Sequence, residues 1–122
     1  MTSINVIKEN TDVIDLRLYN DGGEYKLQSN EYLVFTVRKD VNDDDYLIRR
    51  KINPSDYDDE KGCYPIQIQS TDTQNVEIGN HQDKVYYKYD ITLYNTVDTI
   101  FRKTLYRGDF AISWSASKGS DT

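Results

Sequence analysis

Within residues 85–94, Val85, Tyr87, Tyr89, Ile91 and Leu93 occupy every second position. That period belongs to a strand with one face buried and the other in water. A polar connection, Asn95-Thr96-Val97-Asp98-Thr99, follows at the length that joins antiparallel neighbours, and residues 100–114 are then rich in β-branched and aromatic side chains. The last third of the chain therefore reads as the centre of an antiparallel sheet, with Tyr87, Tyr89, Ile91 and Leu93 in the core. It does not read as an active site.

The rest of the chain carries the same period in shorter pieces. Residues 4–7 suit an edge strand, and in residues 13–19 Ile14, Leu16 and Leu18 alternate with Asp15 and Arg17. Asn20-Asp21-Gly22-Gly23 ends that piece, because paired glycines supply the positive φ of a turn. Residues 31–39 are apolar on both faces, which predicts a central strand. Residues 46–52 combine Ile48 and Ile52 with Arg49, Arg50 and Lys51, which predicts one solvated face, and Asn53-Pro54 stops the ladder. Tyr64, Ile66 and Ile68 alternate around Pro65, which should face away from a strand partner, and residues 70–75 hold one helical turn at most.

Leu105 and Phe110 are five apart, so strict alternation sends them to opposite faces, and Gly108 is the expected site of a register-restoring bulge. Phe110, Ile112 and Trp114 then share a face, with Trp114 expected to be buried against Tyr89, Ile91 and Phe110. Seven to eight short strands with almost no helical period predict an all-β, immunoglobulin-like antiparallel two-sheet β-sandwich. Residues 1–116 form its single domain and residues 117–122 a polar tail.

At 122 residues and 14.3 kDa, one domain can bury about two thirds of its unfolded surface without staples. Cys63 is the sole cysteine, which excludes an internal disulfide and fits a buried thiol. No basic-then-apolar leader opens the chain and no apolar run reaches the roughly 20 residues of a membrane span, so a soluble, unexported protein with no membrane partner is expected. The formal charge of -6 is the wrong sign for a broad phosphate-neutralising surface, and nucleic acid is not expected as a partner. Residues 40–62 hold eight acids against four bases, so the excess is concentrated there.

His81 is the single histidine, set in a turn-like run between Asn80 and Gln82, where a solvated loop side chain is expected. No nucleophile–base set has a recognisable elbow around it, so no catalytic residues are assigned and a small hydrolase is the weakest reading. Asp43-Asp44-Asp45 and the acids of residues 56–60 could offer oxygen to calcium. Neither follows the EF-hand spacing, and neither a metal nor a cofactor is expected. Tyr86, Lys88 and Tyr94 lie on the strand face opposite Tyr87 and Tyr89 and form the candidate interaction surface. Rings there could anchor a protein interface, or stack on sugars as in a carbohydrate-binding β-sandwich.

From Ile66 onward the order of features resembles the N-terminal β-sandwich module of phage baseplate upper proteins. The matching pieces are the Ser70-Thr71-Asp72-Thr73 turn, Ile78-Gly79, the strand Tyr87-Lys88-Tyr89-Asp90-Ile91, and Leu105-Tyr106-Arg107-Gly108-Asp109-Phe110-Ala111-Ile112. Earlier residues agree more loosely, through Leu33-Val34-Phe35-Thr36-Val37-Arg38. The resemblance implies a non-enzymatic adaptor that docks onto other tail or baseplate proteins, in the virion or in the host cytoplasm during assembly, and it allows an oligomer within that assembly. It brings no catalytic residues. No stalk or receptor-binding region is expected after the sandwich, a departure from that family which leaves docking as the part that carries over.

Overall fold

The computed structural model describes residues 3–40, 44–79 and 82–114, and its fold is all-β. Its strands are β1 (Ile4–Ile7), β2 (Asp12–Leu16), β3 (Tyr19–Asn20), β4 (Gly23–Glu24), β5 (Glu31–Arg38), β6 (Ile48–Ile52), β7 (Tyr64–Ile68), β8 (Lys84–Asn95) and β9 (Arg102–Ser113). One helical turn, α1 (Ser70–Thr73), follows β7, and a 3₁₀ turn at Pro54–Asp56 follows β6. A five-stranded sheet runs in the order β1-β9-β8-β5-β6, and β2-β7 and β3-β4 form two-stranded ribbons.

β8 takes the central place because it pairs with β9 along nearly its whole length and with β5 over Lys88–Asn95. Its alternation turns Tyr87, Tyr89, Ile91 and Leu93 to the same side as Leu33, Phe35 and Val37 of β5 and Phe110 and Ile112 of β9. Tyr89, Ile91, Leu93, Phe110 and Ile112 are buried, and Tyr87 packs half-buried at the margin. Phe35 joins the three strands, its ring centroid 6.0 Å from Tyr89 and 6.2 Å from Phe110. Tyr64, Ile66 and Ile68 of β7, with Leu16 of β2, enter the same cluster and cover that side of the large sheet. Each such side chain contributes roughly 1.5–3 kcal/mol by leaving water. Pro65 stands opposite Asp15 in the β2-β7 ribbon; with a single partner strand, β7 has a side on which a missing N–H breaks no ladder.

Several expectations need correction. The sheet is mixed: β1 pairs in parallel with β9, Ile4 opposite Phe110 and Val6 opposite Ile112. A parallel pair needs a long crossover, and here the two strands lie at opposite ends of the sequence. The bulge falls at Leu105, since Ile91 opposes Tyr106 while Thr92 opposes Thr104. Gly108 sits in regular register opposite Tyr89. The extra residue lets Leu105 and Tyr106 both pack against the core. Trp114 is half-buried rather than enclosed with Tyr89, Ile91 and Phe110. The β9 ladder ends one residue earlier, at Ser113 opposite Lys84. The indole therefore leaves the sheet, lies beneath the Lys8 ammonium at 4.9 Å and borders Val76 and Ile78.

Candidate interaction surface

Strand alternation puts Tyr86, Lys88 and Tyr94 on the solvent side of the five-stranded sheet, as expected, but it does not bring them together. Eight residues separate Tyr86 from Tyr94 on β8, roughly 26 Å at about 3.3 Å per residue. Tyr86 is 57% exposed, with Lys84 near its ring. Tyr94 stacks on Tyr32 of β5 at 5.3 Å and 12°, and the Lys51 ammonium lies 4.4 Å from the Tyr32 ring. These two rings spend a face on each other, so they offer no open pair of faces to a sugar. Lys88 forms an ion pair with Asp109, its cross-strand neighbour.

Between the tyrosines the face is built from charges and threonines. One cross-strand row reads Arg49, Thr36, Asp90, Arg107, and the next reads Lys51, Val34, Thr92, Thr104. Arg38 pairs with Asp90 at 3.6 Å. Thr92 Oγ1 lies 3.3 Å from both Asp90 Oδ1 and Thr104 Oγ1. Val34, Thr36 and Thr92 are buried although they point away from the core, which follows if the long side chains beside them lie down over the sheet. Arg38, Arg49 and Arg102 border the resulting concavity of about 320 Å³ above these residues.

A second feature lies where β8 turns into β9, and sequence alternation did not find it. Ile100 was expected inside a strand, but β9 begins at Arg102. Ile100 is 92% exposed and Val97 79%, and Phe101 and Tyr19 are also exposed. The turn that carries Val97, Ile100 and Phe101 is firmly held, and Tyr19 comes from β3. Asn95 Oδ1 accepts the N–H groups of Val97 at 2.8 Å and Asp98 at 2.9 Å. The Thr96 N–H donates to the Asn30 carbonyl at 2.8 Å, and the Phe101 N–H to the Asp98 carbonyl at 3.1 Å. Beneath the turn, Leu18, Tyr19, Leu93, Phe101, Leu105 and Tyr106 line a groove of about 450 Å³. The available signal was three apolar residues, Val97, Ile100 and Phe101, inside a segment of turn formers.

His81 and Asp43 lie outside the described residues. Among the described residues no group of three His, Cys, Asp or Glu is placed to hold a metal ion. Asp58 is used locally, its Oδ1 accepting the N–H groups of Glu60 and Lys61. Cys63 is fully buried, and burial, with Asp15 beside it, pushes its thiol up. Comparison with protein families finds no matching family model, and comparison with curated proteins finds no match.

Proposed function

We propose that this chain is a non-enzymatic structural module that works by docking to other proteins, and that its setting is a phage or prophage tail baseplate. The observation that supports docking is the β8–β9 turn, where Val97 and Ile100 stand almost wholly in water on a backbone fixed by Asn95 and Asn30. Exposed apolar side chains set together mark interaction sites. A turn already held in one conformation loses little freedom when a partner covers it. The groove beside the turn offers such a partner a place for its own apolar side chain.

The baseplate setting rests on the resemblance of residues 66–112 to the upper-protein module. In the immunoglobulin-like reading of the fold, the five-stranded sheet is one layer and the β2-β7 ribbon the core of the other, which is supported by the single cluster of buried side chains that both supply. The parallel β1–β9 pair is a departure from that pattern.

Co-expression with the products of the adjacent genes tests the proposal. Tail or tape-measure genes beside this one, and a complex with one of their products that Ile100→Asp abolishes, would support it. A metabolic neighbourhood, or no complex with any neighbouring product, would overturn it.

A further inference from the structure

The solvent face of the five-stranded sheet differs in charge from the rest of the molecule. Its strand positions hold Arg38, Arg49, Lys51, Lys84, Lys88, Arg102 and Arg107 against Asp90 and Asp109. Seven bases and two acids make a formal +5 on a chain of formal -6, so everything else carries -11. Both acids are already committed, Asp90 to Arg38 and Asp109 to Lys88. Arg49, Lys51, Lys84, Arg102 and Arg107 form no ion pair among the described residues. Elsewhere Arg50 pairs with Asp72 and Lys26 with Asp59, while Arg17, Lys61 and Lys103 form no ion pair among the described residues, so the face is set apart by its surplus of bases over acids.

We infer that this face is a second docking surface, and that its occupant is a short acidic segment of a partner protein whose carboxylates are taken up by Arg49, Arg102 and Arg107. Guanidinium groups match carboxylates as planar two-pronged donors. Thr36, Thr92 and Thr104 supply hydroxyls between the arginines in the concavity that Arg49 and Arg102 border, and the Asp90 carboxylate that shares this lining is held by Arg38. Arg49 and Arg107 end one cross-strand row, three strand spacings or roughly 14 Å apart, which about five extended residues span with a carboxylate at every second position. The charge distribution also sets the length of the occupant. A long polyanion would run off the +5 face onto a surface carrying -11, whereas a short acidic segment stays within it. Nucleic acid is further disfavoured because Tyr32 and Tyr94 stack on each other, leaving no open pair of ring faces for successive bases. The inference goes beyond the docking turn: it concerns another face and stands even if the turn has no partner.

The test uses a short fluorescein-labelled peptide alternating glutamate and serine, its glutamine–serine counterpart, and an oligothymidylate of similar length, followed by polarisation at low and high salt. The glutamate peptide should bind, weaken as salt rises, and lose roughly tenfold or more in affinity with Arg49→Ala/Arg102→Ala. Lys61→Ala, which removes a base from the acidic side of the molecule, should not weaken it. The exposed Arg107→Ala serves as an independent variant should the double variant unfold by circular dichroism, and it should weaken binding as well. No binding at low salt, equal binding of the glutamine peptide, indifference to the arginine variants, or tighter binding of oligothymidylate would each overturn the assignment.

Discussion

The backbone N–H of Leu27 donates to the hydroxyl oxygen of Tyr64 at 2.6 Å, and both residues are buried. The bond ties the segment after β4 to the start of β7. It gives a main-chain donor in the core the partner it would otherwise lack. Tyr64→Phe keeps the ring, which meets Tyr57 edge-on at 5.1 Å, and removes only the acceptor. The variant should lose about 1–3 kcal/mol, the penalty for a buried donor left unsatisfied. Denaturant melts of the two proteins measure this, and an unchanged midpoint would mean that the Leu27 N–H has another acceptor.

Tyr25 gives the fold a pH dependence at the alkaline end. Burial first, and then the hydrogen bond its hydroxyl donates to Glu31, push it from 10.0 up to about 12. The folded chain holds this proton over a range in which the unfolded chain has released it. The contribution is complete below about pH 10 and fades as pH rises towards 12. The stability difference between the native protein and Tyr25→Phe should therefore narrow over that interval. A difference that stays flat from pH 9 to 12 would refute the assignment.

The alternation of residues 85–94 and 31–39 was enough to place β8 and β5 at the centre, because a one-residue slip would have turned Phe35 and Ile91 into water. The bulge was legible as a necessity but not in position. Leu105 and Phe110 demanded one extra residue, and glycine permits a bulge without requiring it. Local patterning groups Arg50 with Arg49 and Lys51 as the basic residues of a strand with one solvated face. Arg50 points instead to the core side, opposite Phe35, where it ion-pairs with Asp72 and donates to the Gln67 carbonyl at 3.3 Å. Asp72 also accepts the Gln69 N–H at 2.8 Å, so one carboxylate joins α1 to β6, a long-range pairing invisible to local patterning. The basic face was hidden for a similar reason. Its seven bases come from four strands, and only the register sums them, while the net charge reported the opposite sign.

Trp114 should behave as a marginal residue. A fully buried tryptophan replaced by alanine loses roughly 3–5 kcal/mol; with the ring half-buried under Lys8, Trp114→Ala should lose clearly less. Part of that loss is shared with Lys8, since an ammonium over a partly exposed indole contributes about 0.5–1 kcal/mol. Lys8→Ala and Trp114→Ala should then fall short of additivity by about that amount in a double-mutant cycle. Iodide should quench this sole tryptophan partially in the native state. Complete protection, or quenching as free as in the unfolded chain, would contradict its placement.

The β8–β9 turn separates folding from docking most sharply. Ile100 is 92% exposed while Leu93, at the wall of the groove below it, is buried. Two aliphatic residues seven apart on one hairpin should thus respond in opposite ways. Leu93→Ala opens a hole in the cluster that holds Phe35 and Ile91 and should lose about 2–5 kcal/mol. Ile100→Asp removes almost no folded contact, and its effect should stay within about 0.5 kcal/mol. The aspartate should also reduce any self-association through the turn, because a charge at the centre of an apolar contact must be desolvated there without a partner. Thermal melts and sedimentation across a concentration series separate the two effects. A large loss of stability in Ile100→Asp would mean that the turn packs inward and would remove the support it gives to docking.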